Sequence, residues 1–99
     1  MIRKPNTDKN GYAWTEGLKK EIWRKGKFIA GHDPNILRSD ICGAAMMYSK
    51  HGDRESPYGW EIDHINPVAN GGGDNPENLQ PLYWKNNADK ADKLNWKCS

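Results

Sequence analysis

The chain alternates between polar stretches and short apolar runs, and an order of elements can be read from that alternation. Residues 1–13 are polar and contain Pro5, Asn10 and Gly11, so a loose lead-in is expected there. Thr15 then stands where a helix N-cap belongs, with Leu18, Ile22 and Trp23 at helical spacing behind it. The spacing predicts a helix over residues 15–27, basic on its outer face and weakened by Gly17 and Gly26. Residues 31–35 read as a turn, and residues 36–48 leave strand and short helix both open. Residues 51–59 read as loop. Trp60-Glu61-Ile62-Asp63-His64-Ile65 alternates in the manner of a strand, which Pro67 ends. A long loop over residues 66–77 follows, with three glycines in a row, Gly71–Gly73, that read as backbone geometry. Residues 79–82 suit a second strand. From Trp84 or Lys85 to Leu94 a helix is expected, with Asn87, Lys90, Ala91 and Leu94 on one face.

The expected class is therefore α+β: strand, long Gly-rich loop, strand and helix, with a helical, basic extension before them. The expected organisation is one domain over residues 1–99, with the lead-in at 1–14, the extension at 15–59 and the core at 60–94.

Composition changes this picture in one respect. Leu, Ile, Val and Phe together are only 14 of 99 residues, while there are five Trp and four Tyr. So few aliphatics leave the aromatic rings to build the core, and the extension has to pack on the rest rather than trail from it. No stretch approaches the ~18 apolar residues of a membrane span, so no membrane partner is expected.

Charge is uneven. The first 30 residues hold eight Lys/Arg against three Asp/Glu, although the whole chain is only +2. A basic first third suits a polyanion such as nucleic acid. The two cysteines, Cys42 and Cys98, are expected as free thiols in a cytoplasmic protein, since the opening Met-Ile-Arg-Lys-Pro-Asn lacks the apolar run of a signal peptide. A disulfide between them stays open, with nothing in the sequence arguing for it.

Three polar features fall at the ends of the last unit. Asp63-His64 lies on the first strand, Asn78 opens the second, and Asn87 sits in the first turn of the helix. Such a set suits metal-assisted hydrolysis. Asp63 and Asn87 would offer oxygens to one hard divalent cation, Mg²⁺ or Mn²⁺, which keeps several waters and leans on a substrate phosphate. His64, whose ordinary pKa of about 6.5 is close to working pH, would be the general base. Asn78 would orient its ring. Adjacent residues of a straight strand point to opposite faces, so Asp63 and His64 share a site only where the strand twists or ends.

The run Trp60-Glu61-Ile62-Asp63-His64-Ile65, followed by Gly71-Gly72-Gly73-Asp74, Asn78-Leu79-Gln80-Pro81-Leu82 and Asn87-Ala88-Asp89-Lys90, resembles the HNH endonucleases. The resemblance covers residues 60–93. It implies a ββα-metal core that cuts DNA, here expected as double-stranded, with one divalent cation. It also implies Asp63 and Asn87 as metal ligands, and His64 and Asn78 as the catalytic pair. Asn87 stands where many relatives carry a histidine, making this an HNN variant. The cysteine pairs of the relatives' zinc ribbon are mostly absent. The matching positions read Cys42-Gly43-Ala44-Ala45 and Tyr83-Trp84-Lys85-Asn86, so no structural zinc is expected.

Lys90, Lys93 and Arg54 are candidate phosphate contacts, and His32 and His51 read as loop histidines. Phosphate contacts alone do not read sequence, so specificity would come from the basic first third, a homodimer or a larger nuclease assembly. A catalytically inactive nucleic-acid-binding module that keeps the fold is the alternative reading.

Overall fold

In the computed structural model, which describes residues 3–99, Thr15 does cap a helix, its side chain accepting from the Leu18 N–H at 3.2 Å. That helix, α1 (Glu16–Trp23), stops earlier than the periodicity predicts. The cause is Arg38, buried beside Gly26, whose guanidinium donates to the carbonyls of Arg24 and Gly26 just past the helix end.

The ambiguous segment resolves as a hairpin of β1 (Leu37–Ser39) and β2 (Ala45–Met47). Asp40 builds its turn. One carboxylate oxygen accepts from the N–H groups of Cys42 and Ala44, both at 2.9 Å, and Gly43 supplies a φ of 85°. The other oxygen accepts from the Tyr83 N–H at 3.0 Å and the Asn86 amide at 2.9 Å, which ties this turn to the last part of the chain.

The strand–loop–strand–helix unit forms as expected, as β3 (Trp60–His64), β4 (Leu79–Tyr83) and α2 (Trp84–Lys90). β3 and β4 are antiparallel, with Ile62 opposite Pro81. Ile62 turns its N–H away from β4, and the Asn6 side chain accepts it at 2.8 Å. A proline is harmless there because that register position needs no ladder donor. α2 was expected to reach Leu94, but Ala91 takes a φ of 46° and ends it, leaving Leu94 exposed.

The core lies between α1 and the β3–β4 ribbon. Trp23 and Trp60 meet at 5.0 Å, Tyr48 closes edge-on against Trp23, and Ile22, Met46, Ile62 and Leu79 fill the space around them. The rings therefore carry the core together with a few aliphatics, and the extension is packed on the ββα unit. Trp84 and Trp96 are only half-buried. No helix among the described residues is long and apolar enough to cross a membrane.

Cys42 and Cys98 are joined in a disulfide, with their Cα atoms 5.5 Å apart, which corrects the expectation of free thiols. The Asp40 turn and the change of direction at Ala91 bring together two cysteines separated by 56 positions. Nothing local in the sequence signals that meeting.

The lead-in is also not loose where it is described; residues 1–2 lie outside the described residues. The Asn6 oxygen that accepts from Ile62 lies 3.1 Å from His51 Nε2, and the His51 ring packs on Trp60 at 4.7 Å. Burial pushes the His51 pKa down to about 4. A neutral His51 is required by the fold, while the unfolded chain takes up the proton near pH 6.5. Stability from this residue is thus complete above pH 6.5 and is lost as pH falls toward 4, by at most about 1.4 kcal/mol per pH unit. Urea melts of wild type and His51→Gln across that window should show a shallower slope for the variant; equal slopes would refute the assignment.

Candidate functional site

Alternation along β3 sends its side chains to two sides. Trp60 and Ile62 point into the aromatic core, and Glu61 and Asp63 meet α2. His64 is the last residue of the strand, and the chain turns away through Ile65–Pro67. At that end Asp63, His64 and Asn87 line one cavity of about 150 Å³, together with Arg3, Asn6 and Asp92.

Asp63 is 5% exposed and already has partners. Gln80 donates to Oδ2 at 2.9 Å and the Lys90 ammonium stands 3.2 Å from Oδ1. Burial pushes the Asp63 carboxyl above its ordinary range, and the Gln80 hydrogen bond and the Lys90 charge oppose that push. Asn87 donates its amide to Glu61 Oε1 at 2.8 Å, so its own oxygen is the atom left for another ligand. Glu61, 2% exposed, is held in turn by a two-pronged bond from Arg54 at 2.7 and 2.8 Å.

His64 is 3% exposed. Its Nε2 lies 2.8 Å from Asp74 Oδ1, and the Trp14 ring lies 5.5 Å from its centroid. Asn78 makes no hydrogen bond to the imidazole, contrary to the expectation. It closes the loop before β4: its oxygen accepts from the Asn66 N–H at 2.8 Å, and its amide donates to the carbonyls of Asn66 and Gly73 at 3.1 and 2.9 Å. Asn78 is thus the clasp of the glycine-rich loop, which places Asp74 on the histidine. It also ends a short 3-10 turn rather than opening β4.

Gly72 lies inside that clasp. A Cβ there would stand 1.7 Å from the Asn66 carbonyl oxygen and 3.0 Å from the Asn78 amide. Gly72→Ala should therefore lower stability by about 1–3 kcal/mol, read in urea unfolding, because backbone atoms have to move. A loss within ±0.5 kcal/mol would show that the loop tolerates a side chain.

The three expected phosphate contacts stand in different surroundings. Lys90 is 3% exposed and donates to the His64 carbonyl as well as pairing with Asp63, so it is sealed inside the unit. Arg54 is partly exposed but committed to Glu61. Lys93 is exposed, in the turn beyond α2 rather than on the helix. Arg3, Asn6, Glu61, Asp74 and Gln80 join the site without having been singled out. Only Asp74 had a local signal, its place behind the glycines.

The donors present suit a hard cation. Asp63 and Asn87 bring an anionic and a neutral oxygen to the same cavity, and each Asp63 oxygen has lone-pair capacity beyond its present partner. Among the described residues no group of three or more His, Cys, Asp or Glu side chains could hold a metal ion. Neither the curated proteins nor the solved structures gave a match to the chain. Residues 47–93, which span β3, the clasped loop, β4 and α2, match the HNH endonuclease family model.

Proposed function

We propose that the protein is a metal-dependent endonuclease that hydrolyses phosphodiester bonds of double-stranded DNA. HNH nucleases act on nucleic acids and generally use a divalent metal. The observation that carries the reading is the one cavity shared by His64, Asp63 and Asn87. A hard divalent cation, Mg²⁺ or Mn²⁺, held by Asp63 and the Asn87 oxygen, would offset charge on the phosphate and on the departing oxygen.

His64 takes a proton from a water as the water oxygen bonds to phosphorus. The bond from phosphorus to the 3′ oxygen breaks, and that oxygen takes a proton from solvent. Asn78 keeps the glycine-rich loop closed around this step. Lys93 reaches phosphate from the turn beyond α2, and Arg54 does so only by giving up Glu61. The basic first third supplies further, sequence-independent attraction to DNA, and a homodimer or larger assembly would add specificity. A Cys42–Cys98 disulfide persists in oxidising surroundings and is reduced in most cytosols, so a cytoplasmic address goes with the dithiol form of the protein.

One observation favours a second reading. Both Asp63 oxygens are engaged by Gln80 and Lys90, as suits an inactive nucleic-acid-binding module of the same fold. Supercoiled plasmid with Mg²⁺ or Mn²⁺, with and without chelator, separates the two. Metal-dependent nicking is expected. Retained DNA binding with no nicking would favour the inactive module, and nicking that survives the chelator would sink the role given to the cation.

A further inference from the structure

We infer that Asp74 is the positioning carboxylate of the general base, and that the lead-in is part of the device through Lys9. The inference rests on the role proposed above for His64.

The sequence brings Asp74 to the histidine by two routes. The first is the glycine-rich loop. Asn78 grips the Gly73 carbonyl, in the peptide unit that joins Gly73 to Asp74, so the clasp fixes the backbone that carries the carboxylate. The second is a turn in the lead-in. Asp8 accepts the N–H groups of Asn10 and Tyr12 on its side chain, both at 2.9 Å, and its carbonyl accepts from Gly11. This shapes residues 8–12 into a compact turn. The Lys9 N–H on that turn donates to Asp74, at 3.1 Å from Oδ1 and 3.3 Å from Oδ2. Asp74 is thus held from both sides before it meets the ring.

The chemistry follows from which ring nitrogen is used. A carboxylate accepts, so the Nε2 atom 2.8 Å away carries the hydrogen and donates it. Nδ1 is then the unprotonated nitrogen, the one able to take a proton from water. Trp14 Nε1 is the one side-chain polar atom sealed from solvent without a partner among the described residues. Nδ1 of His64 has no hydrogen-bond partner among the described residues either, and the ring lines the cavity shared with Asp63 and Asn87. Asp74 chooses the tautomer, Trp14 limits the tilt of the ring, and the negative charge steadies the imidazolium formed when Nδ1 takes the proton. Nε2–H stays on the ring throughout.

The test uses the full chain and two independent readouts. In proton–nitrogen NMR, a downfield His64 ring N–H signal on Nε2, protected from exchange, is expected in the wild type and absent in Asp74→Ala. In plasmid nicking, Asp74→Ala should lose about 10–100-fold in kcat with KM changed by no more than about twofold. Adding Asp74→Ala to His64→Ala should cost nothing further, which a merely structural carboxylate would not show. Asp74→Asn, which keeps an oxygen for the Lys9 amide, should recover part of the rate and guards against simple loss of the lead-in.

No bonded Nε2–H in the wild type, or its survival in Asp74→Ala, would overturn the proposal whatever the nicking assay reads. A wild type that nicks DNA beside an Asp74→Ala variant at full rate would overturn it and leave His64 as the base. A wild type with the bonded N–H that never nicks DNA would instead sink the nuclease reading, and Asp74 could not then be the carboxylate of a general base.

Discussion

Replacing His64 with alanine should slow plasmid nicking by about 10²–10⁴-fold, the range a positioned general base contributes. The size of the effect follows from what else lines the cavity. The Arg3 guanidinium offers donors and no acceptor, and Asp63 is taken up by Gln80 and Lys90. Among the described residues that line the cavity, Asp92 is the one other carboxylate. The loss should therefore fall on kcat, with DNA binding by the basic first third retained. Because the ring packs against Trp14, its removal also leaves space in the unit, so melting curves of the variant should accompany the rates. A well-folded His64→Ala protein that nicks within about threefold of the wild type would show that another group takes the proton.

How much of this was legible in the sequence depended on the range of the contacts concerned. The Thr15 cap is settled within three residues, and it was read correctly. β3 was readable because its chemistry alternates even though all five residues are buried: Trp60 and Ile62 face the aromatic core, and Glu61 and Asp63 face α2. The periodicity behind α2 runs on past Lys90, and nothing in it announces the positive φ at Ala91. Asn78 could be picked out by its place in the pattern, but its partners could not, since Asn66 and Gly73 are brought to it by the loop. Lys90 was misread for the same reason. A lysine near a helix end is usually solvated, and this one is buried by its partners His64 and Asp63 on β3, far away in the sequence. The disulfide and the Asp40 tie depend on meetings across 40 or more positions, which no local pattern records.

Asp40 is where that blindness matters most, and Asp40→Ala should destabilise the protein by about 3–5 kcal/mol. The residue is 1% exposed and lies outside the cavity lined by His64, so neither exposure nor chemistry marks it. Its two oxygens accept from four donors: the N–H groups of Cys42, Ala44 and Tyr83, and the Asn86 amide. Alanine would leave donors in the interior unpaired, each costing about 1–3 kcal/mol where water cannot replace the lost partner. It would also remove the link between the β1–β2 turn and the start of α2, the helix that carries Asn87. Against a total stability of about 5–15 kcal/mol, the loss is a large fraction. Asp40→Asn should fall between the two, because one amide oxygen can still serve the turn while its NH₂ faces the donors of Tyr83 and Asn86. Urea unfolding with the Cys42–Cys98 disulfide kept intact measures both variants, and an unchanged m-value would assign the difference to stability. If Asp40→Ala loses less than about 1 kcal/mol, water reaches these donors and the carboxylate is not the tie between the two halves of the fold.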